Sequence, residues 1–148
     1  MDVANQTLSF RTNGRGIFSI AEDVQNWLNT IPGRPTGTVT LWIRHTSASL
    51  IVSENADPDV LMDLETVLAD LLPDGDPRYR HRMEGPDDMA AHLRSVLTQT
   101  SLVVPIIEGK LALGTWQTIY LWEHRYEAHT RVISLIFTGT PTDPSRGS

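Results

Sequence analysis

Alternation of apolar and polar residues marks the strands of this chain. Leu8 and Phe10 alternate with polar neighbours, which predicts a half-buried strand near the start. Every second residue of 37–45 is apolar up to Ile43, and the alternation carries His45 into the same inward row. Further strands are predicted where β-branched and aromatic residues are concentrated, at 49–54, 101–106, 111–123 and 131–137.

Three other stretches repeat their apolar residues at helical spacing. Ser19 and Glu22 have the spacing of a capping box, and they predict the start of the first helix. Asp57 and Pro58 are expected to cap and open the second helix. The inward residues of the first helix are expected to be Ile20, Val24, Trp27, Leu28 and Ile31. Those of the second helix, 58–72, are expected to be Leu61, Leu64, Leu68 and Leu71. The third helix is expected to start at 86–88 and to turn Met89, Leu93 and Val96 inward.

The order of these elements predicts an α+β fold with antiparallel pairing. The runs 101–106 and 111–123 are joined by 108–110, so we expect them to form a hairpin. We assign residues 1–139 to a single domain. The tail 140–148 contains two prolines, one glycine and no large apolar residue, and we expect it to be disordered.

Composition and charge remove several classes of function. Because the chain has no cysteine, disulfides, cysteine-ligated zinc and iron–sulfur clusters are excluded. The net charge of −6 disfavours non-specific binding to nucleic acid or anionic lipid. The sequence also lacks both a membrane-spanning apolar run and the features of a signal peptide. We therefore expect a cytoplasmic protein that associates with neither nucleic acid nor membrane.

Several polar residues occupy positions where a purely structural role would favour apolar ones. They fall in 45–49, in 84–88, at His92, and in 114–117 together with 123–124. Each has a structural alternative, such as a hydrogen-bonded core histidine, helix-terminal charges or a strand end. Taken together, imidazoles and carboxylates form the ligand set for zinc or a harder divalent cation. The histidines are scattered along the chain, so the fold must assemble any metal site: His45, His81, His92, His124 and His129.

Spacing constrains which of these residues can meet. Asp88 and His92 stand four apart on the third helix, where the carboxylate can orient the imidazole beside a metal. An exposed ion pair is the alternative for them. Gly114 interrupts an apolar strand and indicates a bulge or the close approach of a ligand. Alternation along that strand places Glu123 and His124 on opposite faces, so they need not enter one site.

Five motifs follow one another along the chain: HTSAS at 45–49, ENADPDV at 54–60, YRHRMEGPDDMAAH at 79–92, GKLALGTWQ at 109–117 and LWEHR at 121–125. They resemble the motifs of the YjbQ family, often labelled secondary thiamine-phosphate synthase. Their order and spacing cover roughly residues 5 to 139, nearly the whole domain. The run from SLVVPIIEGKLALGTWQ to LWEH is the most specific part.

The resemblance implies a β-sandwich-like α+β domain that assembles as a homotrimer, with polar motif residues near the subunit boundaries. It also implies a weak ability to join an aminopyrimidine diphosphate to a thiazole phosphate. Among the motif residues, we assign catalytic roles to His81, Glu84, Asp88 and Glu123, and substrate binding to Ser47, Ser49, Trp116 and Gln117.

The resemblance also supports a hypothesis about a metal. His45, His92 and His124 occupy motif positions in separate elements, and three protein ligands leave one coordination position open. We therefore expect them to bind one divalent cation, zinc or magnesium, with His81 as the main substitute. The alternative is that these imidazoles bond carboxylates and bind an anion when protonated.

Three functions follow from these hypotheses. The leading one is a transferase of the thiamine-phosphate synthase type acting on small phosphorylated substrates. Few lysines and arginines lie near the motifs, and the nearest are Arg44, Arg82 and Arg125. A metal would therefore supply much of the charge that stabilises the leaving pyrophosphate. The second is metal-assisted hydrolysis of a small phosphorylated metabolite with Glu84 or Glu123 as base. The third is a trimer that binds a small molecule without turning it over.

Overall fold

The computed structural model describes residues 1–141 and contains eight strands and three helices in that part of the chain. The strands are β1 (Asp2–Thr12), β2 (Gly16–Ser19), β3 (Thr36–Ile43), β4 (Ala48–Glu54), β5 (Ser101–Ile107), β6 (Lys110–Leu111), β7 (Gln117–Glu123) and β8 (His129–Thr140). The helices are α1 (Ala21–Leu28), α2 (Pro58–Leu71) and α3 (Asp88–Leu97). The predicted α+β class, with antiparallel strands and three helices in a single domain, is confirmed.

The strands form two antiparallel sheets that share one core. Five strands are ordered β1-β8-β3-β5-β6, and three are ordered β2-β7-β4. The core draws on both sheets and on α1, because alternate residues of each strand point inward. Its fully buried side chains include Val39, Leu41, Ile43, Leu50, Ile119, Leu121, Ile133, Leu135 and Phe137.

The predicted hairpin of 101–106 with 111–123 is only partly correct. Lys110 and Leu111 pair with the end of β5, but the following residues cross to the smaller sheet. Gly114 begins the break, where the amide of Gln117 donates to the Gly114 carbonyl at 3.0 Å. A turn therefore replaces the expected bulge. It allows β7 to run between β2 and β4, buried on both faces.

Two glycines allow β3 and β8 to approach closely. Gly37 and Gly139 face each other directly in the register of these strands. A Cβ built on Gly37 would lie 2.0 Å from the Thr138 carbonyl oxygen, and one built on Gly139 would lie 2.3 Å from that of Thr36. No side chain therefore fits at either position without a shift of backbone.

The helices depart from the predicted details in two places. Ser19 belongs to β2, and α1 is preceded by Ile20 without a side-chain cap, so the predicted capping box is wrong. On α3, Val96 is 79% exposed and the buried face is formed by Ala90, Ala91 and Arg94. Small alanines let this helix pack closely on β4, and the predicted inward residues Met89 and Leu93 are only half-buried. The Asp57 cap of α2 is confirmed, since its carboxylate accepts from the Asp59 amide at 2.9 Å.

The α2 helix packs loosely. None of its residues is fully buried, and Met62, Val67 and Leu71 are more than half exposed. Leu71 thus lies outside the predicted inward stripe.

At the C-terminal end of the domain, Thr140 completes β8 although the sequence assigned it to the tail. The predicted disorder of the tail otherwise falls on 142–148, which lie outside the described residues. No helix in 1–141 is both long and apolar enough to cross a membrane.

Candidate functional site

One carboxylate meets two imidazoles at the start of α3. Asp88 opens the helix and His92 lies one turn later, so both side chains share a face. The preceding loop brings His81 to the same carboxylate. The Oδ2 atom of Asp88 lies 2.5 Å from Nε2 of His81 and 3.1 Å from Nε2 of His92. One ligand atom from each residue lies within 4.8 Å of the other two, and we call these three residues the histidine–aspartate cluster.

Arg125 holds the buried side of this cluster. Its Nη1 donates to Oδ1 of Asp88 at 2.7 Å, its Nε donates to Asp87 at 3.0 Å, and its Nη2 donates to the Glu84 carbonyl at 2.9 Å. Burial raises the pKa of Asp88, but the hydrogen bond from His81 and the neighbouring positive charges outweigh burial and lower it overall. Asp88 is therefore an anion whose Oδ2 faces the two imidazoles.

The backbone fixes the orientation of His92. Its Nδ1 lies 2.9 Å from the carbonyl oxygen of Thr46, in the segment between β3 and β4. Because a carbonyl can only accept, Nδ1 of His92 carries a proton, and its Nε2 is turned toward Oδ2 of Asp88. A histidine held through Nδ1–H in this way is oriented as metal ligands usually are. The cluster thus has both a set of ligand atoms and a contact that orients one of them.

A second polar network surrounds Glu123, whose side chain is fully buried. Its Oε1 accepts from Thr12 at 2.6 Å and from Nε of Arg131 at 2.8 Å. Its Oε2 accepts from Nη2 of Arg131 at 2.5 Å and from the amide of Arg125 at 3.2 Å. Burial raises the pKa of Glu123, but the bonds from Arg131 and Thr12 outweigh it and lower the pKa overall. Both oxygens are engaged, so this carboxylate is a structural anion.

A third network crosses beneath α2 and includes His124, which is also fully buried. Nε of Arg94 donates to its Nδ1 at 2.9 Å, and its Nε2 lies 2.9 Å from the hydroxyl of Ser49. Arg94 also pairs with Glu65, which accepts from the Trp122 indole at 2.9 Å. Burial and then the nearby arginines lower the pKa of His124 to about 2. The neutral ring thus carries its proton on Nε2, and it cannot act as a base toward Ser49.

Two cavities meet the histidine–aspartate cluster. The first, which we call the Tyr79 cavity, has a volume of about 280 Å³, and its lining includes Tyr79, His81 and Arg82. The second, which we call the Trp42 cavity, has a volume of about 610 Å³, and its lining includes Trp42, Arg44, His45 and His92. Each cavity therefore contacts a different imidazole of the cluster.

The family described as UPF0047 protein YjbQ-like matches residues 6–140. The chain belongs to the YjbQ family. Among its relatives are UPF0047 protein sll1880 of Synechocystis, 47% identical over 90% of each chain, and UPF0047 protein YjbQ of Escherichia coli O157:H7, 38% identical over 90% of this chain and 96% of that one. The resemblance inferred from the motifs is confirmed.

Solved structures of YjbQ-like proteins share this fold. The conserved protein TT1486 of Thermus thermophilus superposes with a TM-score of 0.79 at 35% identity, covering 88% of this chain and 97% of that one. A YjbQ/UPF0047 protein of Clostridium acetobutylicum superposes with a TM-score of 0.78 at 30% identity, covering 91% and 99% of the two chains. The likeness thus extends over nearly all of the described domain.

The histidines predicted to bind one cation lie in different surroundings in this YjbQ-family protein. Of the three, only His92 belongs to the histidine–aspartate cluster. Both ring nitrogens of His124 bond inside the third network, and Nε2 of His45 accepts from the Val132 amide at 2.8 Å. His81, the predicted substitute, occupies the cluster instead. The sequence could not distinguish them, because all four matched motif positions equally well.

The other predicted site residues are also dispersed in this member of the YjbQ family. Trp116 is 62% exposed in the turn before β7, and the side chain of Gln117 accepts from the Gly114 amide at 2.8 Å. Ser47 accepts from Arg131 at 3.0 Å within the second network, and Ser49 belongs to the third. Glu84 lies on the exposed loop before α3, close in sequence to His81.

Three arginines organise these networks, and the sequence pointed to only one of them, Arg125, as a cation near the motifs. Arg94, Arg125 and Arg131 are all buried, and each donates to a carboxylate. A signal was available for Arg131, because it begins a row of alternate residues that includes Ile133 and Leu135. A charged residue in such an inward row needs a buried partner.

Proposed function

We propose that the protein carries out cation-dependent hydrolysis of a small phosphorylated metabolite at the histidine–aspartate cluster. The observation that carries this proposal is the convergence of ligand atoms from His81, Asp88 and His92 within 4.8 Å. Two imidazoles with one carboxylate form a donor set typical of zinc, and catalytic zinc sites use three protein ligands with one position left open. Magnesium, which prefers oxygen ligands, suits this donor set less well.

The surrounding contacts fit a bound cation. Arg125 occupies the other oxygen of Asp88, and the Thr46 carbonyl holds His92 by its Nδ1, so both ligands are oriented from behind. When bound, zinc would polarise a phosphoryl oxygen and lower the pKa of water. The side chain of His81 is 43% exposed, which leaves the cluster accessible to a substrate from the loop side.

Glu84 is our candidate for the acid–base role in this reaction. Glu123, the other candidate, is fully buried and accepts hydrogen bonds on both oxygens. Glu84 has an exposed side chain, while its backbone carbonyl is anchored by Arg125 at 2.9 Å. An accessible carboxylate whose backbone is bonded to the same arginine as Asp88 can receive or return a proton.

Thiamine-phosphate synthesis is the second candidate function, and the pair of cavities favours it. Joining an aminopyrimidine diphosphate to a thiazole phosphate requires room for two ligands. The Tyr79 and Trp42 cavities, at about 280 and 610 Å³, meet the cluster at different imidazoles. Each is lined by one arginine, Arg82 or Arg44, on which a phosphate can bind.

We further propose that the protein forms a homotrimer. The family resemblance supports this assembly, and so does the exposure of Met62, Val67 and Leu71 on α2, which leaves apolar surface for a partner subunit. Light scattering is expected to return three times the chain mass of 16.5 kDa. A monomer across micromolar concentrations would contradict this.

The decisive experiment measures metal and activity in tag-free protein. We expect zinc at about one ion per chain, since the cluster offers one set of ligands. His81→Ala, His92→Ala and Asp88→Asn should each lower the affinity for zinc at least tenfold, since even the loss of a ligand's hydrogen-bond partner typically costs about that much. His129→Ala, which removes a histidine outside the cluster, is the matched control. Zinc that persists in all three cluster variants would refute the site.

The same preparations separate the two reactions. Phosphate released from a panel of small phosphate esters, dependent on zinc and lost in Glu84→Gln, is expected for hydrolysis. Thiamine phosphate formed from the two precursors, without phosphate release from the panel, would favour the transferase. Thermal stabilisation by a metabolite that is recovered unchanged would instead indicate a binding protein.

A further inference from the structure

The Trp42 cavity contains an aromatic side chain that the fold leaves half exposed. Trp42 lies on β3, on the face opposite the core residues Leu41 and Ile43, and it is 51% exposed. In the register of the sheet its direct neighbours are Ser101 on β5 and Ser134 on β8. Because both neighbours are small, neither supplies the cross-strand contact that normally covers an aromatic side chain in a sheet.

A cation lies on the same face as this indole. Arg44 follows Trp42 by two residues and therefore projects from the same side of the chain. Its Nε donates to the hydroxyl of Ser134 at 2.7 Å, and this bond fixes the guanidinium next to the strand that flanks Trp42. The two terminal nitrogens can then donate to one anion in the two-pronged geometry that arginine favours.

The charge of the cavity differs from that of the whole protein. The chain carries a net charge of −6, yet among the described residues that line this cavity Arg44 is charged and none is acidic. His45 and His92 add two imidazoles to the lining. A small anion is thus attracted to this cavity while most of the surface repels it.

We propose that the Trp42 cavity binds a planar ring that bears a phosphate group, with the ring against Trp42 and the phosphate on Arg44. The proposal rests on the proposed function insofar as His92 also belongs to the histidine–aspartate cluster. A phosphate in this cavity would occupy a space that His92 also lines. The cavity volume of about 610 Å³ accommodates a ring of this kind with its phosphate.

Calorimetric titration with phenyl phosphate, inorganic phosphate and phenol tests the two contacts separately. We expect phenyl phosphate to bind at least about fivefold more tightly than inorganic phosphate, the gain that aromatic stacking typically provides. Trp42→Leu should abolish that preference, and Trp42→Phe should retain most of it. Arg44→Gln should reduce phenyl phosphate to the affinity of phenol.

Two control variants show whether the binding belongs to this cavity. Phe18→Leu changes a partly exposed aromatic side chain outside the cavity and should change no affinity. His81→Ala removes a cluster ligand that does not line the cavity, so zinc retained in this variant with the ring preference intact would refute the cation site alone. A preference that survives Trp42→Leu would overturn the inference. The inference would also be overturned if Trp42→Leu changed the molecular mass of the assembly but left ligand binding unaltered, because another subunit would then cover this face.

Discussion

Replacing Glu123 with glutamine tests whether this carboxylate is structural or reactive. The side chain is fully buried and accepts four hydrogen bonds, two of them from Arg131. Glu123→Gln keeps the shape but leaves the Arg131 charge buried without its anion. Breaking a buried ion pair in this way typically costs about 3 to 5 kcal/mol. For a domain of this size the melting temperature should fall by roughly 6 to 20 °C.

Urea and thermal unfolding followed by circular dichroism measure this effect. Glu127→Gln, which changes an exposed carboxylate nearby, is the control and should alter the free energy of unfolding by less than about 0.5 kcal/mol. Replacing Glu123 and Arg131 together with methionine should recover much of the loss, because no unpaired charge remains. Unchanged stability together with lost turnover in Glu123→Gln would refute the structural role and restore Glu123 as a reacting group.

The stability of Glu123→Gln should depend on pH differently from that of the parent protein. The pKa of Glu123 in the folded protein is lowered from its ordinary value of 4.5. Its contribution to the free energy of unfolding is therefore complete above pH 4.5 and is lost as the pH falls through the folded pKa. The difference in stability between parent and Glu123→Gln should therefore narrow below pH 4.5. A difference that stays constant down to the acid unfolding of the parent would contradict the assignment of an ionised, paired carboxylate.

Two further predictions concern the buried histidine and the paired glycines. The pKa of His124 is lowered from 6.5 to about 2, so below pH 6.5 the unfolded chain takes up a proton that the folded one does not. Stability should then fall by up to about 1.4 kcal/mol per pH unit on acidification, and urea unfolding at pH 7 and 5 should show a smaller fall in His124→Gln. Gly139→Ala places a Cβ 2.3 Å from the Thr36 carbonyl oxygen and should lower the free energy of unfolding by about 3 kcal/mol or more. The new Cβ of Gly114→Ala meets only the flexible side chain of Gln117, at 3.3 Å, so this variant should lose less than about 1 kcal/mol. Equal melting temperatures for the two glycine variants would contradict a tight β3–β8 contact at this point.

Local patterns in the sequence predicted most of the fold. Alternation identified β3 and β8, and the Asp57-Pro58 pair identified the start of α2. The path of the chain after β6 was not predictable in this way, because β7 is buried on both faces and its composition suits either sheet. The register of α3 was also missed, since its buried alanines contribute little to an apolar pattern.

The candidate site was predictable only where its residues are close in sequence. Asp88 and His92 lie on one helix at a spacing that brings them together, and His81 lies seven residues before Asp88. The arginine pairs join distant segments: Arg125 is 37 residues from Asp88, and Arg94 is 30 from His124. Such pairings depend on tertiary packing, and local hydrophobic periodicity contains no information about it.

The contact between Arg125 and Asp88 has a consequence for how a ligand would enter the site. Arg125 already immobilises the carboxylate through its inner oxygen, at 2.7 Å, and the Thr46 carbonyl already holds His92. Binding a ligand usually costs free energy because side chains lose rotamer freedom. For Asp88 and His92 this freedom is already lost when the protein folds. His81 lies on the exposed loop, and its one described hydrogen bond is to the Asp88 carboxylate itself. Association should then resemble the capture of an ion by a rigid scaffold, and any slow step should arise from the loop that carries His81.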